Sequence, residues 1–315
     1  MASVKAANPA QIFGRDTFRA LTAVSRWKGL ALVAHGWAMI FALAWGAAYV
    51  GTWWAWVIAI MLIGGRQLGL AILMHEAAHG LMHPDRATNN WAGQWITGVP
   101  MGTDMHAYRT YHLTHHRYTQ QAEDPDLALS KPFPTTRASM LRKVFRDLTG
   151  QTFLKQRSAQ MMMALKGFGP SAKEQNLFVG KVMLRFFAAQ VVLLALSFAT
   201  GLGALPYLIW LIALATTFQL FLRIRNIAEH ACTATGSEDP FTHARTTYAN
   251  WLERATVAPY WVNFHSEHHL FMGVPCYNLP RAHRLLIDAG HAGRMTIARG
   301  YADVMRQVIV PSPAA

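Results

Sequence analysis

The sequence WWAWVIAIMLIGGRQLGLAILM, residues 53–74, runs without a break into HEAAH, residues 75–79. The first part has the length and apolar character of an α-helix that crosses a lipid bilayer, about 20 residues. The second part places His75 and His79 four residues apart, and therefore on one face of the same helix. This stretch predicts a membrane-spanning helix whose projecting end carries two metal-binding imidazoles.

Three further apolar runs have a similar length, and the four runs form two hairpins. The turns are Gly51-Thr52 and Gly201-Leu202-Gly203. Of the 315 residues 52% are hydrophobic and 14% charged, and the mean hydropathy of +0.15 is too high for an ordinary soluble domain of this size. We predict an all-α integral membrane protein, a single domain over residues 1–315. Its predicted spans are residues 29–50, 53–74, 182–200 and 204–222.

Basic residues predict the orientation of these spans. The chain has 29 Lys and Arg against 16 Asp and Glu, a net charge of +13. Apart from Arg66 and Arg185, all of them lie in residues 1–28, 75–181 or 223–315. The positive-inside rule therefore predicts that these segments and both termini are cytoplasmic, at the inner membrane if the cell is bacterial. Basic residues beside spans attract anionic lipid head groups, so no nucleic-acid partner is expected.

Eight of the fifteen histidines fall into three groups, HEAAH (75–79), HLTHH (112–116) and HSEHH (265–269). Imidazole is the commonest protein ligand for transition metals, and eight ligands exceed the needs of one zinc ion. All three groups lie in predicted cytoplasmic segments, so we expect them to converge in a helical cap below the bilayer. Asn226 and His230 lie one helical turn apart after the fourth span, which makes His230 the best-placed ninth ligand.

Several polar residues near these groups are expected to orient the rings and balance the metal charge. His83 continues the spacing of His75 and His79, but Pro84 ends the helix there, so we expect it to hydrogen-bond near the site. The candidate carboxylates are Glu76, Asp124, Asp126, Glu229 and Glu267.

With these motifs the chain resembles the membrane fatty acid desaturases, a family with three histidine boxes and a non-haem di-iron centre. The resemblance covers nearly the whole chain and includes His116-Arg-Tyr, Asp124-Pro-Asp126 and the sequence LFMGVPCYNLPR at residues 270–281. It implies that nine histidines hold two iron ions and that Asn226 reaches one of them through water. The implied ligands are His75, His79, His112, His115, His116, His230, His265, His268 and His269.

The resemblance implies O₂-dependent desaturation of a lipid acyl chain. An unactivated methylene C–H bond is too strong for acid–base catalysis by side chains, so the reaction needs iron, O₂ and two external electrons. The chain has no C-x-x-C motif and no G-x-G-x-x-G fingerprint. The electrons are therefore expected from a separate protein such as ferredoxin, or cytochrome b5 with its reductase.

Three alternatives stay open at this point. Family relatives also hydroxylate or ketolate lipids and carotenoids at the same kind of centre. HEAAH matches the H-E-x-x-H motif of zinc metalloproteases, although that function leaves the other two groups and His230 unused. A non-catalytic metal transporter would hold its ligands near the bilayer midplane, whereas these histidines lie outside the predicted spans.

Overall fold

The computed structural model describes residues 4, 7–166 and 172–311, and most of them are helical. The α-helices are α1 (Pro9–Phe13), α2 (Arg15–Leu21), α3 (Lys28–Val50), α4 (Trp53–His79), α5 (Arg86–Trp91), α6 (Met105–Tyr118), α7 (Leu127–Ser130), α8 (Arg137–Leu148), α9 (Gln151–Lys166), α10 (Ala172–Ala199), α11 (Leu205–Ala215), α12 (Thr217–His230), α13 (Trp251–Ala255), α14 (His265–Leu270), α15 (Leu279–Asp288) and α16 (Tyr301–Val308). A π-helical segment spans Ala92–Gly98, and 3₁₀ turns span Val99–Met101, Pro259–Trp261, Cys276–Asn278 and Ala292–Arg294.

Four helical stretches are long and apolar enough to cross a membrane. They are Lys28–Val50, Trp53–His79, Lys173–Ala199 and Leu205–His230. The first two stretches form one hairpin and the last two the other, so the predicted helical fold with four spans is confirmed. The protein is a membrane protein.

The helices of three spans extend beyond the predicted limits. Helix α4 continues past Met74 to His79, α10 begins at Ala172, and the fourth span reaches His230 after a break at Thr216. Hydropathy detects only the apolar part of a helix, whereas backbone hydrogen bonding continues into its polar end. As a result, α4 and α12 both carry histidines on polar ends that project from their apolar segments.

Helix α4 lies at the centre of the bundle. In its most apolar stretch 67% of the residues are buried inside the protein, against 22% for α10. It packs against α3, α11 and α12. Two glycines allow this close approach: a Cβ at Gly64 would lie 2.2 Å from Thr217 Oγ1, and one at Gly65 would lie 2.2 Å from the Ala255 carbonyl oxygen. At these two positions α4 therefore packs too closely against its neighbours to leave room for a side chain.

Both arginines inside the spans bind groups of the protein. The Arg66 guanidinium donates to the carbonyl oxygens of Arg254 and Ala255, at 2.9 and 3.0 Å. Arg185 Nη1 lies 3.4 Å from a carboxylate oxygen of Asp104. Both charges thus join a span to a segment outside it.

Two short pairs of parallel strands complete the fold. Strand β1 (Thr135–Thr136) pairs with β4 (Ile309–Val310), and β2 (Arg245–Thr247) pairs with β3 (Thr296–Ala298). These pairs join the last part of the described chain to the segment between the hairpins and to the segment after α12.

Candidate metal centre

The first histidine group forms the last turn of α4. The helix ends at Gly80, which adopts a left-handed conformation with φ of 80°. Arg109 of α6 caps this end, because its guanidinium donates to the carbonyl oxygens of Ala77 and Ala78 at 2.9 and 2.7 Å. A cation at the C-terminal end of a helix also interacts favourably with the helix dipole. The cap holds the turn that carries His75 and His79.

The second group lies on α6, which packs beside α4. The helix begins after Asp104, whose side chain accepts hydrogen bonds from the backbone N–H groups of His106 and Ala107, both at 3.0 Å. His112 and His115 are buried and His116 is partly exposed. Helical spacing turns His112 and His116 toward the end of α4, whereas His115 faces His230 and His269.

The ninth histidine and the third group come from α12 and α14. His230 is the last residue of α12, and Arg245 caps that helix by donating to the carbonyl oxygens of Ala228 and Ala231, at 3.0 and 2.7 Å. Helix α14 follows two residues in left-handed conformation, Tyr260 and Trp261, with φ of 51° and 60°. Bulky residues rarely adopt this conformation, and here it precedes the helix that carries the third group.

These four helices bring the nine predicted histidines together in two groups. Within each group the candidate ligand atoms all lie within 4.8 Å of one another, so each group could hold a metal ion. The five-histidine group contains His75, His79, His112, His116 and His268, and the four-histidine group contains His115, His230, His265 and His269.

Burial disfavours the protonated form of five of these imidazoles, all of which lie outside the spans. Six of the nine histidines are buried, and only His79, His116 and His269 are partly exposed. Burial, reinforced by the neighbouring imidazoles, lowers the pKa of His112 and His268 well below the usual histidine value. The same causes lower the pKa of His116, His265 and His269. At neutral pH each of these rings therefore keeps a nitrogen lone pair for a metal.

The contact between His230 and His265 fits a bound cation. His230 Nδ1 lies 3.0 Å from the carbonyl oxygen of His243 and therefore carries the proton that it donates. His265 Nδ1 lies 3.3 Å from the Glu229 carboxylate. With both protons on Nδ1, the two Nε2 lone pairs face each other at 2.9 Å. Two ligands at about 2.1 Å and right angles to one metal ion would lie about 3 Å apart, so an ion accounts for this contact.

The five-histidine group fits a cation for a different reason. His75 Nδ1 and Nε2, His79 Nε2 and His268 Nδ1 are buried without a hydrogen-bond partner among the described residues. A buried polar atom left unsatisfied costs about 1–3 kcal/mol. In the same group, His116 Nε2 lies 3.0 Å from the Nε2 atoms of both His112 and His268. A metal ion would provide the missing partner for Nε2 of His75 and His79.

Four of the five predicted carboxylates lie beside ring nitrogens of the nine histidines. Asp124 approaches His115 Nδ1 to 2.8 Å, and Asp126 approaches the same atom to 3.7 Å. Glu229, the partner of His265, also forms an ion pair with Arg225. Glu76 lies 3.7 Å from His75 Nδ1 and accepts a hydrogen bond from the backbone N–H of Cys276 at 2.8 Å.

Glu267 points elsewhere than predicted. Its carboxylate pairs with His283 Nδ1 at 2.6 Å and accepts from the Thr246 hydroxyl at 2.5 Å. Residues two positions apart do not share a helix face, so Glu267 leaves α14 on a different side from His265. This carboxylate anchors α14 to α15 and to β2.

Two other predicted residues lie at the edge of the centre. His83 belongs to neither group, and its Nδ1 accepts a hydrogen bond from the backbone N–H of Asp85 at 3.0 Å. Asn226 lines a small cavity beside His230 and His265, and its side-chain oxygen accepts from Arg225 at 3.2 Å.

The sequence alone did not indicate several residues that position the ligands. They are Arg109, Arg245, His283, the carbonyl group of His243 and Thr119, whose hydroxyl lies 3.3 Å from His269 Nδ1. Each contact joins segments that are distant in the chain, so no local spacing marks these residues.

Comparisons with known proteins agree with this geometry. A family model described as fatty acid desaturase matches residues 51–300, which include all nine histidines. The dihydrorhizobitoxine desaturase of Bradyrhizobium elkanii is 28% identical over 84% of this chain and 77% of its own. The sn-1 oleoyl-lipid 12-desaturase of a Picosynechococcus strain is 20% identical over 74% of this chain and 70% of its own.

A shorter match is to the chloroplastic sn-2 acyl-lipid omega-3 desaturase (ferredoxin) of Arabidopsis thaliana. It is 31% identical over 32% of this chain and 22% of its own. The family match extends from the first hairpin turn past α14, and so contains every element that builds the metal centre. The chain belongs to the fatty acid desaturase family.

Proposed function

We propose that the protein desaturates an acyl chain of a membrane lipid at a centre of two iron ions held by the nine histidines. The observation that carries the proposal is the pair of adjoining histidine groups at the polar ends of α4 and α12. In the reaction a CH₂–CH₂ unit, O₂, two electrons and two protons yield a CH=CH unit and two water molecules. The chain is then an oxidoreductase that forms a double bond.

The proposed ligands are His75, His79, His112, His116 and His268 for one ion, and His115, His230, His265 and His269 for the other, with Asn226 reaching an ion through water. Iron accepts imidazole ligands readily and supplies, when bound, the redox chemistry with O₂ that breaks the C–H bonds.

Residues around the ligands keep the rings in the state that a metal requires. Asp124 lies 2.8 Å from His115 Nδ1 and Glu229 lies 3.3 Å from His265 Nδ1, and both carboxylates favour a proton on Nδ1, which leaves the Nε2 lone pair for a metal. The His243 carbonyl oxygen does the same for His230. Burial of six ligands excludes water from most of the centre, which protects a reactive site from side reactions.

A small cavity lies beside both groups of histidines, and we propose that it receives the reacting part of the substrate. It is lined by His112 of the five-histidine group and by three members of the four-histidine group, together with Tyr108 and Leu129. Substrate held there would be close to both ions.

The comparisons support an acyl-lipid substrate, because the Picosynechococcus relative is named as an oleoyl-lipid desaturase and the Arabidopsis relative as an acyl-lipid desaturase. A second candidate substrate is dihydrorhizobitoxine, which the name of the Bradyrhizobium relative contains. That relative matches a larger share of this chain.

The electron donor is proposed to be a separate protein, either a ferredoxin, as the Arabidopsis relative's name states for that enzyme, or cytochrome b5 with its reductase. We further propose that both termini and the metal centre face the cytoplasm, at the inner membrane if the cell is bacterial. This orientation is supported by the basic segments that flank the spans.

The proposal is tested by expressing the chain with a ferredoxin system and comparing total lipids by mass spectrometry with those of cells that express His268→Ala. We expect lipids two hydrogens lighter, and about two irons per purified chain. A product with added oxygen would show that the protein hydroxylates or ketolates its substrate and does not desaturate it. One zinc per chain with peptide cleavage would indicate a metalloprotease. Unchanged lipids and pigments with an active donor would contradict the proposal.

A further inference from the structure

Three of the nine histidines of the candidate metal centre are partly exposed to solvent. His79, His116 and His269 are partly exposed, while the other six histidines are buried. Two clefts open over these three rings. The first cleft is lined by His116 and His269 and the second by His79. Leu113 and Met272 line both clefts, so the two form one continuous surface, which we call the exposed-ligand surface.

The exposed-ligand surface is basic. Arg117 lines the first cleft, and Arg86 and Arg109 line the second. Among the described residues that line either cleft there is no Asp or Glu. Arg109 is fixed in place by its bonds to the end of α4, so its charge is held next to the ligands. The charge pattern favours a partner with an acidic face.

The centre of this surface is apolar. Leu113 is 42% exposed and Met272 is 46% exposed, and both lie between the arginines of the two clefts. An apolar centre with a charged rim is the usual composition of a protein docking site, and methionine and arginine are both enriched in such sites.

We propose that the exposed-ligand surface docks an acidic, soluble one-electron carrier protein. This inference rests on the proposed function, which requires electrons from outside the chain. A docked carrier would bring its redox group close to His79, His116 and His269, the three ligands that are partly exposed. Each carrier loses one electron to the metal centre and is oxidised, so two carriers are needed for each double bond.

The test reverses the charge of the two exposed arginines on this surface, in the variant Arg86→Glu/Arg117→Glu. Arg109 is left unchanged because it caps α4. The matched control is Arg142→Glu/Arg146→Glu, which makes the same change in charge on exposed residues of α8. Helix α8 lines neither cleft. A milder variant, Arg86→Ala/Arg117→Ala, serves if the reversal lowers expression.

The readout is the affinity of the iron-loaded protein, in detergent, for an acidic [2Fe–2S] ferredoxin at low salt. We expect the dissociation constant to rise at least about tenfold in the surface variant and no more than about twofold in the control. Added salt should weaken wild-type binding and reduce the difference between the variants. Equal affinity in all three proteins, or equal loss in both variants, would overturn the proposal.

Two further measurements separate this inference from the proposed function. Iron content and reduction of the iron by dithionite should be the same in the surface variant and in the wild type, since neither needs a docked protein. If the wild type holds no iron and makes no product, the proposed function fails instead. If the surface variant binds ferredoxin normally but loses binding to vesicles of anionic phospholipid, the surface is a lipid contact and the docking proposal is overturned.

Discussion

The two histidine groups differ in how their rings are held. In the four-histidine group every Nδ1 atom lies within 3.3 Å of an oxygen atom, three of them in hydrogen bonds and His265 in an ion-pair contact. The pairs are His115 with Asp124 at 2.8 Å, His230 with the His243 carbonyl oxygen at 3.0 Å, His265 with Glu229 at 3.3 Å and His269 with the Thr119 hydroxyl at 3.3 Å.

The five-histidine group has fewer such partners. Nδ1 of His75 and of His268 has no hydrogen-bond partner among the described residues, and the nearest carboxylate, Glu76, is 3.7 Å from His75. The four-histidine group is thus preorganised by hydrogen bonds at three of its rings, whereas the five-histidine group depends on helix packing and on the proposed metal ion. We expect the two proposed iron sites to respond differently to the same kind of change.

Loss of a ligand should have the largest effect in either group. We expect His265→Ala and His268→Ala each to abolish product, and to reduce the iron content from about two per chain to about one or less. Metal analysis and lipid mass spectrometry measure both quantities. His106→Ala, an exposed histidine outside both groups, is the control and should retain iron and activity. Full desaturation by either ligand variant would show that the two groups do not act together.

Loss of a neighbouring carboxylate should lower the iron affinity of the two groups by different amounts. Asp124→Asn removes the charge at 2.8 Å from His115 while keeping the size of the side chain, and we expect iron affinity to fall about 10–100-fold. Glu76→Gln changes a group at 3.7 Å from His75, and we expect a loss below about threefold. Competition with a chelator measures both. An equal loss in the two variants would remove the distinction between the groups.

The arginine caps offer a comparison in stability. Arg245 is 1% exposed, and its loss leaves two buried carbonyl groups unsatisfied, so Arg245→Met should lower the free energy of unfolding by about 2–5 kcal/mol. Arg109 is partly exposed, so water can replace it and Arg109→Met should cost about 1 kcal/mol. Thermal unfolding in detergent gives the order. A larger loss of stability for Arg109→Met would mean that Arg109 stabilises the end of α4 more than Arg245 stabilises the end of α12.

Metal removal should have the smallest effect and the most local one. After chelation we expect amide hydrogen exchange to rise several-fold at residues 75–79, where ring nitrogens lack partners, and to change little at residues 227–231. Hydrogen-exchange mass spectrometry of the iron-loaded and chelated protein measures this. Uniform change across both helix ends would mean that hydrogen bonds do not preorganise the four-histidine group.

The sequence predicted the spans and the nine histidines because local spacing determines both. Apolar length identifies a span, and separations of three or four residues place His112 and His116 on one helix face. The partners of the rings could not be predicted in this way. Arg245 reaches the end of α12, and His283 reaches Glu267 across separate helices. The different hydrogen bonding of the two groups follows from tertiary packing alone.

The order of the ligands along the chain also has a consequence for biosynthesis. His75 and His79 are translated before the second hairpin, whereas residues 265–269 follow it. A nascent chain therefore cannot offer either complete ligand set until both hairpins have been made. Since three of the proposed ligands stay partly exposed in the folded protein, a metal ion can reach the centre from solvent after synthesis is finished. If the proposed iron centre is correct, maturation of the protein divides into insertion of an apoprotein and a later loading step that depends on the cellular iron supply.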